Sequence, residues 1–342
     1  MSRRAAAAAP TRAWVAPLLA AAALAACRGS DPQPFLPLAL DRFAGASSLL
    51  AGGGSSSTFG YTSGPGLDYP TLRLVRQDPA ELDALAPLGD VTFAPGAQLA
   101  RLHVTEEAAV LVVDQGVQVV DLTGPWLAPE VLSLDRPALD AIAAGRWVAV
   151  AVDHGLTLVN RDDPATSYQQ PTASTPAALL ATRSGFLAFT ATGYLTADTT
   201  GATPAFAEQR HPVLHDLREA LALGDAALAA GPADDPDRTR VLRLDLTDPA
   251  APAVVRSHEV PGGLVAFAWD GAATSLVAVH GPGDDADPVS FHEGYLLLES
   301  PAGFQARGVP LQFWSRGRQV LAAHAERLLA VQAAGVAALR IQ

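Results

Sequence analysis

The chain has 342 residues and a formal net charge of −12, and all 23 of its basic residues are arginine. So acidic a protein offers no basic face to phosphate, which excludes a nucleic-acid partner. The lack of lysine removes Schiff-base chemistry and the lysine of a phosphate-binding loop, while 49% hydrophobic residues are enough for a large core.

Arg3, Arg4 and Arg12 open the chain with no acid among them, and an apolar run from Ala13 to Ala26 follows, broken only by Pro17. The run is shorter than the roughly 20 apolar residues that span a bilayer. A basic start, a short apolar stretch and small residues before a boundary form a secretory signal. The boundary Leu24-Ala25-Ala26-Cys27 resembles the bacterial lipobox, and Cys27 is the only cysteine in the chain. The resemblance to bacterial lipoproteins implies a diacylglycerol thioether on Cys27, cleavage before it and acylation of the new amine. Residues 1–26 are then a signal peptide, 27–34 a lipidated tether and 35–342 the folded domain. The implied address is the cell envelope, with the membrane as partner. Arg28 stands where an aspartate would retain an enteric lipoprotein at the inner membrane, which favours the outer one. With Cys27 lipidated no disulfide is available within the chain, so apolar burial must hold the fold.

The next segment, Phe35-Leu36-Pro37-Leu38-Ala39-Leu40, has the pattern of a short strand. Gly52-Gly53-Gly54-Ser55-Ser56-Ser57 is a flexible loop by composition. Beyond it one signature recurs: a glycine or similar residue, a β-rich run, an acid or Asn, and a turn that often holds proline. It starts at Pro70, Gly116, Gly155, Gly193, Arg240, Gly294 and Gly335. The interval is about 40 to 50 residues, the length of one four-stranded propeller blade. Apolar stretches precede the signatures, as in Trp147–Val152, Phe186–Thr190 and Leu264–Trp269, separated by tight turns such as Asp153-His154. Short strands joined by hairpin turns are an up-and-down meander. Unbroken apolar runs fit strands covered on both faces. The recurrent acid can accept backbone N–H bonds in the turn after it. Ala-rich stretches such as 217–228 have a helical composition, but the turns lie too close together for ordinary helices.

Copies such as Val241-Leu242-Arg243-Leu244-Asp245-Leu246-Thr247-Asp248-Pro249 resemble the LVIVD repeat of bacterial exported propellers. Two copies match well, and the one at Gly155 matches in part, with Asn160 in place of the usual aspartate. The resemblance implies the fold and carries no catalytic residues. The expected class is all-β: a seven-bladed β-propeller of four-stranded blades. The last signature ends at Gln342 and leaves its blade without an outer strand. Residues 35–40 should therefore pair beside Gly335–Ile341 and close the ring. Pro37, which lacks an N–H, suits an edge strand.

Two insertions lie between the second and third strands of repeats five and six. The first carries Asp234, Asp235 and Asp237. The second carries Asp284, Asp285 and Asp287, followed by His292. Several carboxylates in adjacent loops suit Ca²⁺ or a cationic partner, although the spacing is not that of an EF-hand. The same composition suits solvated hairpin tips. His211 and His215 are four apart, but Pro212 between them opposes a shared helical face. No nucleophile elbow, His-Glu-x-x-His or phosphate loop occurs. The expectation is a non-catalytic, monomeric binding or scaffold module for an envelope protein or carbohydrate. Its alternative is a propeller hydrolase or lyase with a carboxylate or metal site at the channel mouth. Replacing Cys27 with serine should move the protein from the membrane fraction to the soluble fraction and abolish incorporation of labelled fatty acid, as read by fractionation and autoradiography.

Overall fold

The structure is a computed structural model that describes residues 35–40, 46–52, 58–63, 71–77, 85–92, 99–105, 107–114, 116–124, 129–269, 274–280, 289–314, 321–324, 327–332 and 335–341. Every regular element among them is a β-strand. The first, β1, is Phe35–Leu40. Sheet 1 follows with β2 (Ala46–Gly52), β3 (Thr58–Ser63), β4 (Thr71–Gln77) and β5 (Leu85–Thr92). Sheet 2 holds β6 (Leu99–Val104), β7 (Ala108–Val113), β8 (Gly116–Asp121) and β9 (Pro129–Leu132). Sheet 3 holds β10 (Ala138–Ala144), β11 (Trp147–Val152), β12 (Gly155–Asn160) and β13 (Ser167–Pro171). Sheet 4 holds β14 (Ala178–Thr182), β15 (Gly185–Thr190), β16 (Gly193–Asp198) and β17 (Ala205–Arg210). Sheet 5 holds β18 (Glu219–Leu223), β19 (Ala226–Pro232), β20 (Arg238–Asp245) and β21 (Ala253–Pro261). Sheet 6 holds β22 (Gly263–Trp269), β23 (Thr274–His280), β24 (Val289–Ser300) and β25 (Gly303–Trp314). Sheet 7 holds β26 (Leu321–His324), β27 (Arg327–Gln332) and β28 (Gly335–Ile341), and β1 pairs antiparallel outside β28.

Each sheet is a four-stranded antiparallel meander, and the first strand of each sheet touches its neighbours' strands. β2 touches β6, β6 touches β10, β10 touches β14 and β14 touches β18; β22 touches β19 and β26, and β26 touches β2. The reason lies in the second strands. β7, β11 and β15 are buried along their whole length. Side chains on a strand alternate between faces, and here each face belongs to a different core. Val148, Val150 and Val152 pack with Val110 and Val112 of sheet 2. Trp147, Ala149 and Ala151 pack with Leu179, Phe186 and Ala188 of sheet 4. On β15 the odd partners Leu187 and Phe189 join Ala227 and Ala229 of sheet 5. Leu228 and Ala230 then join Phe267, Trp269 and Val277 of sheet 6.

The Ala-rich segment 217–228 is not helical. It forms β18 and β19 around a two-residue turn in which Gly224 has φ +57°, a backbone state that costs a glycine little. The signature glycine has a steric reason at one position. A Cβ at Gly193 would stand 2.0 Å from the Gln209 carbonyl oxygen, whereas at Gly116 the nearest atom is 3.4 Å away. The recurrent acids cap their turns as expected: Asp121, Asp198 and Asp245 each accept the N–H and hydroxyl of the threonine two residues on. The threonine hydroxyl bond, followed by its N–H, holds each of these carboxyls below its ordinary pKa. Asn160 accepts the N–H of Asp162 in the same manner.

Leu187 is fully buried between sheets 4 and 5. Leu187→Ala should therefore destabilise the protein by about 2–5 kcal/mol. The measurement is a fall in urea midpoint with the slope of the transition unchanged.

Candidate functional site

The first strands should be apolar where they pack, and mostly they are. Polar residues there stand out because burial without a partner is costly. Strand pairing puts four first-strand positions at one level, three of them charged. Arg101 pairs with Val112, Asp140 with Ala151, Ala178 with Phe189 and Glu219 with Ala230. In each sheet the partner is the fifth residue of the second strand, next to the hairpin that joins second strand to third. In β6 the register shifts between Leu99 and Arg101, and in β10 between Ala138 and Asp140. Each shift inserts one extra residue just before the charged one, and such bulges re-aim side chains. The extra residue of β10, Leu139, is 44% exposed.

Arg101 Nη1 donates to Glu219 Oε1 at 3.0 Å, linking sheet 2 to sheet 5. His103 Nε2 lies 2.8 Å from Asp140 Oδ1, linking sheet 2 to sheet 3. An ionised carboxylate only accepts, so Nε2 carries the proton in this bond. The Ala141 N–H also donates to Asp140 Oδ1, at 2.9 Å. The side chains of Asp140, Arg101, Glu219 and His103 are 6%, 13%, 17% and 19% exposed. Burial pushes the Asp140 carboxyl up, but the charge and hydrogen bond of His103 and the charge of Arg101 outweigh it and hold the pKa below its ordinary value. Burial works against the charge of Arg101 too, and the carboxylates of Glu219 and Asp140 overcome it, raising that pKa. The cluster is thus one guanidinium and one imidazole set between two carboxylates from three sheets.

The residues singled out from the sequence stand elsewhere. Asp234, Asp235 and Asp237 occupy the β19–β20 hairpin, as expected for an insertion between second and third strands. There they serve the turn. Asp235 Oδ1 accepts the Asp237 N–H, and its carbonyl accepts the Arg238 N–H. The Asp237 carbonyl accepts the Gly262 N–H. The Asp234 side chain, 92% exposed, lies 3.7 Å from Arg240. Among the described residues no three His, Cys, Asp or Glu side chains converge as a metal site would require. Cys27, Asp284, Asp285 and Asp287 lie outside the described residues. His292 falls within β24, not in the loop before it, since part of the extra length of repeat six goes into the twelve-residue strands β24 and β25.

His211 and His215 share no helix. His211 Nδ1 accepts the N–H groups of Val213 and Leu214 at 3.1 and 2.9 Å and so organises the β17–β18 connection. Burial, then the neighbouring His215, lowers the His211 pKa. That connection lies over Gly231, where a Cβ would meet the Asp216 carbonyl oxygen at 2.5 Å. Asp153 and His154 form an exposed hairpin tip in which His154 has φ 51°. Sequence reasoning passed over Arg101, His103, Asp140 and Glu219. The usable signal was weak: a charged residue in the first half of each of three first strands, with Arg101 and Asp140 one repeat apart.

No protein-family model matches the chain, and no curated protein matches its sequence. Solved structures do resemble it. A chain of the mitotic checkpoint complex is 9% identical with a TM-score of 0.57, the match covering 100% of this chain and 98% of that one. Apo AztD from Citrobacter koseri is 12% identical with a TM-score of 0.56, covering 84% and 79%. Hsv2 from Kluyveromyces marxianus is 9% identical with a TM-score of 0.54, covering 82% and 88%. At these identities the likeness is one of fold alone. Together with the succession of four-stranded meanders it defines a repeat protein of the β-propeller class.

The depressed Asp140 pKa carries a sign. The contribution is present above the unfolded carboxylate value of about 3.9 and is lost as pH falls through the lower folded value. Asp140→Asn removes one partner from a buried pair and should cost about 3 kcal/mol near neutral pH. Urea denaturation of both proteins should show this difference shrinking as pH is lowered below about 4.

Proposed function

We propose that the chain is a lipid-anchored, seven-bladed propeller whose ring is closed by its N-terminal strand, and that it works as a binding or scaffold module at the cell envelope. The seven four-stranded sheets, the pairing of β1 with β28 and the contact of β26 with β2 support the ring. The lipobox before Cys27 supports the anchor. On this reading the first strands line a central channel. Recognition takes place at the mouth formed by the hairpins between second and third strands and the connections between sheets. These two kinds of loop meet there: Thr172 N–H donates to the His154 carbonyl, and Thr175 Oγ1 donates to Asp153 Oδ1.

The observation that carries the proposal is the charged cluster of Arg101, His103, Asp140 and Glu219. Charges in the inner strands lose hydration that apolar residues of similar size would not. Largely buried ionisable groups that pair across sheets at one end of a channel mark a recognition site. The rim is acidic. Asp234, Asp235 and Asp237 belong to it through the β19–β20 hairpin, and the segment between β23 and β24 adds Asp284, Asp285 and Asp287 to the sequence of the next repeat. A negative rim steers a partner with a cationic face, on an envelope protein or an amino-substituted carbohydrate.

Leu139, at the bulge beside Asp140, is the place to ask. A photocrosslinking residue at Leu139 should capture a defined envelope component in native membranes. The same residue at Val131, which is 66% exposed on the outer strand β9, should capture none. Adducts from Val131 alone would move recognition to the outer rim and defeat the reading.

A further inference from the structure

We propose that the Arg101–Glu219 pair is a plug that shuts the central channel just inside the mouth, so that the channel is a blind well and not a passage. The inference rests on the closed seven-sheet ring. In such a ring sheet 2 and sheet 5 are three steps apart one way and four the other, the greatest separation available. Their first strands, β6 and β18, have only the channel between them. An ion pair of 3.0 Å between Arg101 and Glu219 therefore crosses the axis.

Three features make the crossing more than a chance surface contact. Both side chains are largely withdrawn from solvent, where a salt bridge is screened little. The charge of Asp140 on sheet 3 adds to that of Glu219 on sheet 5 in favouring the guanidinium, whose recorded hydrogen bond runs to Glu219. Arginine also keeps its charge at any pH the fold survives, and its planar fork suits carboxylates. The level of the plug follows from register. Arg101 and Glu219 pair with the fifth residues of β7 and β19, close to the hairpin end. His103 lies two residues farther along β6, below the plug as seen from the mouth. A ligand entering at the hairpin end thus meets a charged floor of guanidinium and carboxylate at shallow depth.

The test uses the full chain with Arg101→Ala, Glu219→Ala and the double variant. Urea denaturation near neutral pH should show strong coupling across 118 residues of sequence. The second replacement should change the folding equilibrium constant at least about fivefold less once the first is made. Carbethoxylation of His103, followed by peptide mass spectrometry, should run severalfold faster in Glu219→Ala than in the parent protein, although Glu219 is on another sheet. Additive effects together with an unchanged His103 rate would overturn the plug. If the alanine variants do not fold, Arg101→Gln, Glu219→Gln and their double variant, which nearly keep side-chain length, replace them in the coupling measurement under the same criterion, and Glu219→Gln replaces Glu219→Ala in the His103 measurement. The ring is tested separately with cysteines at Leu36 and Arg340, which are register partners in β1 and β28. If their crosslink forms while the coupling and the His103 rate stay flat, the plug falls and the ring stands. If the crosslink does not form, the ring falls and the plug falls with it.

Discussion

Everything in this molecule depends on a strand that cannot be left with a bare face. The second strand of sheets 2, 3 and 4 is buried at every residue, and its two sets of alternate side chains belong to two different cores. A single meander could satisfy one set and would leave the other in water, at roughly 25 cal/mol for each Å² of apolar surface. Stacking is the remedy, and each added sheet buries one face and presents another. Stability is then shared among neighbour interfaces, as in other repeat architectures. The pairing of β1 with β28 and the contact between sheets 7 and 1 are what such a stack needs at its two ends. No disulfide could substitute, with one cysteine in the whole chain.

The same logic separates the two ends of the sheets. At the end that carries the turns after the third strands, the recurrent acids are spent on local geometry. Asp121, Asp198 and Asp245 tie their own threonines two residues on, and nothing about them calls for a ligand. At the other end the chain invests differently. His211 turns its Nδ1 to two backbone N–H groups, and Asp235 does the same for one. Yet Arg101, His103, Asp140 and Glu219 connect residues far apart in sequence and bring charge into the inner strands. The Asp140 carboxyl is held below its ordinary pKa despite its burial because His103 and Arg101 face it. Charges of this kind add less to stability than well-packed apolar groups would. Their presence at one level, beside two bulged strands, is therefore the feature that calls for a function.

Much of the architecture was legible in the sequence because its signals are local. The period of the signature, the two-residue turns, the apolar second strands and the capping acids each involve residues within one repeat, where spacing translates directly into geometry. The correction in repeat six shows the limit. His292 read as part of a loop, but strand length is set by pairing with β25, and pairing extended β24 to take it in. The acidic residues of repeat five read as a possible ion site. In the folded hairpin the Asp235 carboxylate and the Asp235 and Asp237 carbonyls accept backbone N–H groups, a matter of hydrogen-bond geometry that composition does not convey.

By itself the sequence determined the all-β class, the repeat period and the strand that lies beside the last. All of these rest on patterns a few residues to one repeat long. The tertiary structure alone decided where charge converges. Arg101 and Glu219 are ordinary residues in ordinary strands until the stacking of sheets brings β6 and β18 within reach. No periodicity relates them, since one is basic, the other acidic, and Ala178 holds the same level between Asp140 and Glu219. A contact across the inner strands is set by the curvature that accumulates over several sheets. That curvature is a property of packed cores and has no short motif to announce it.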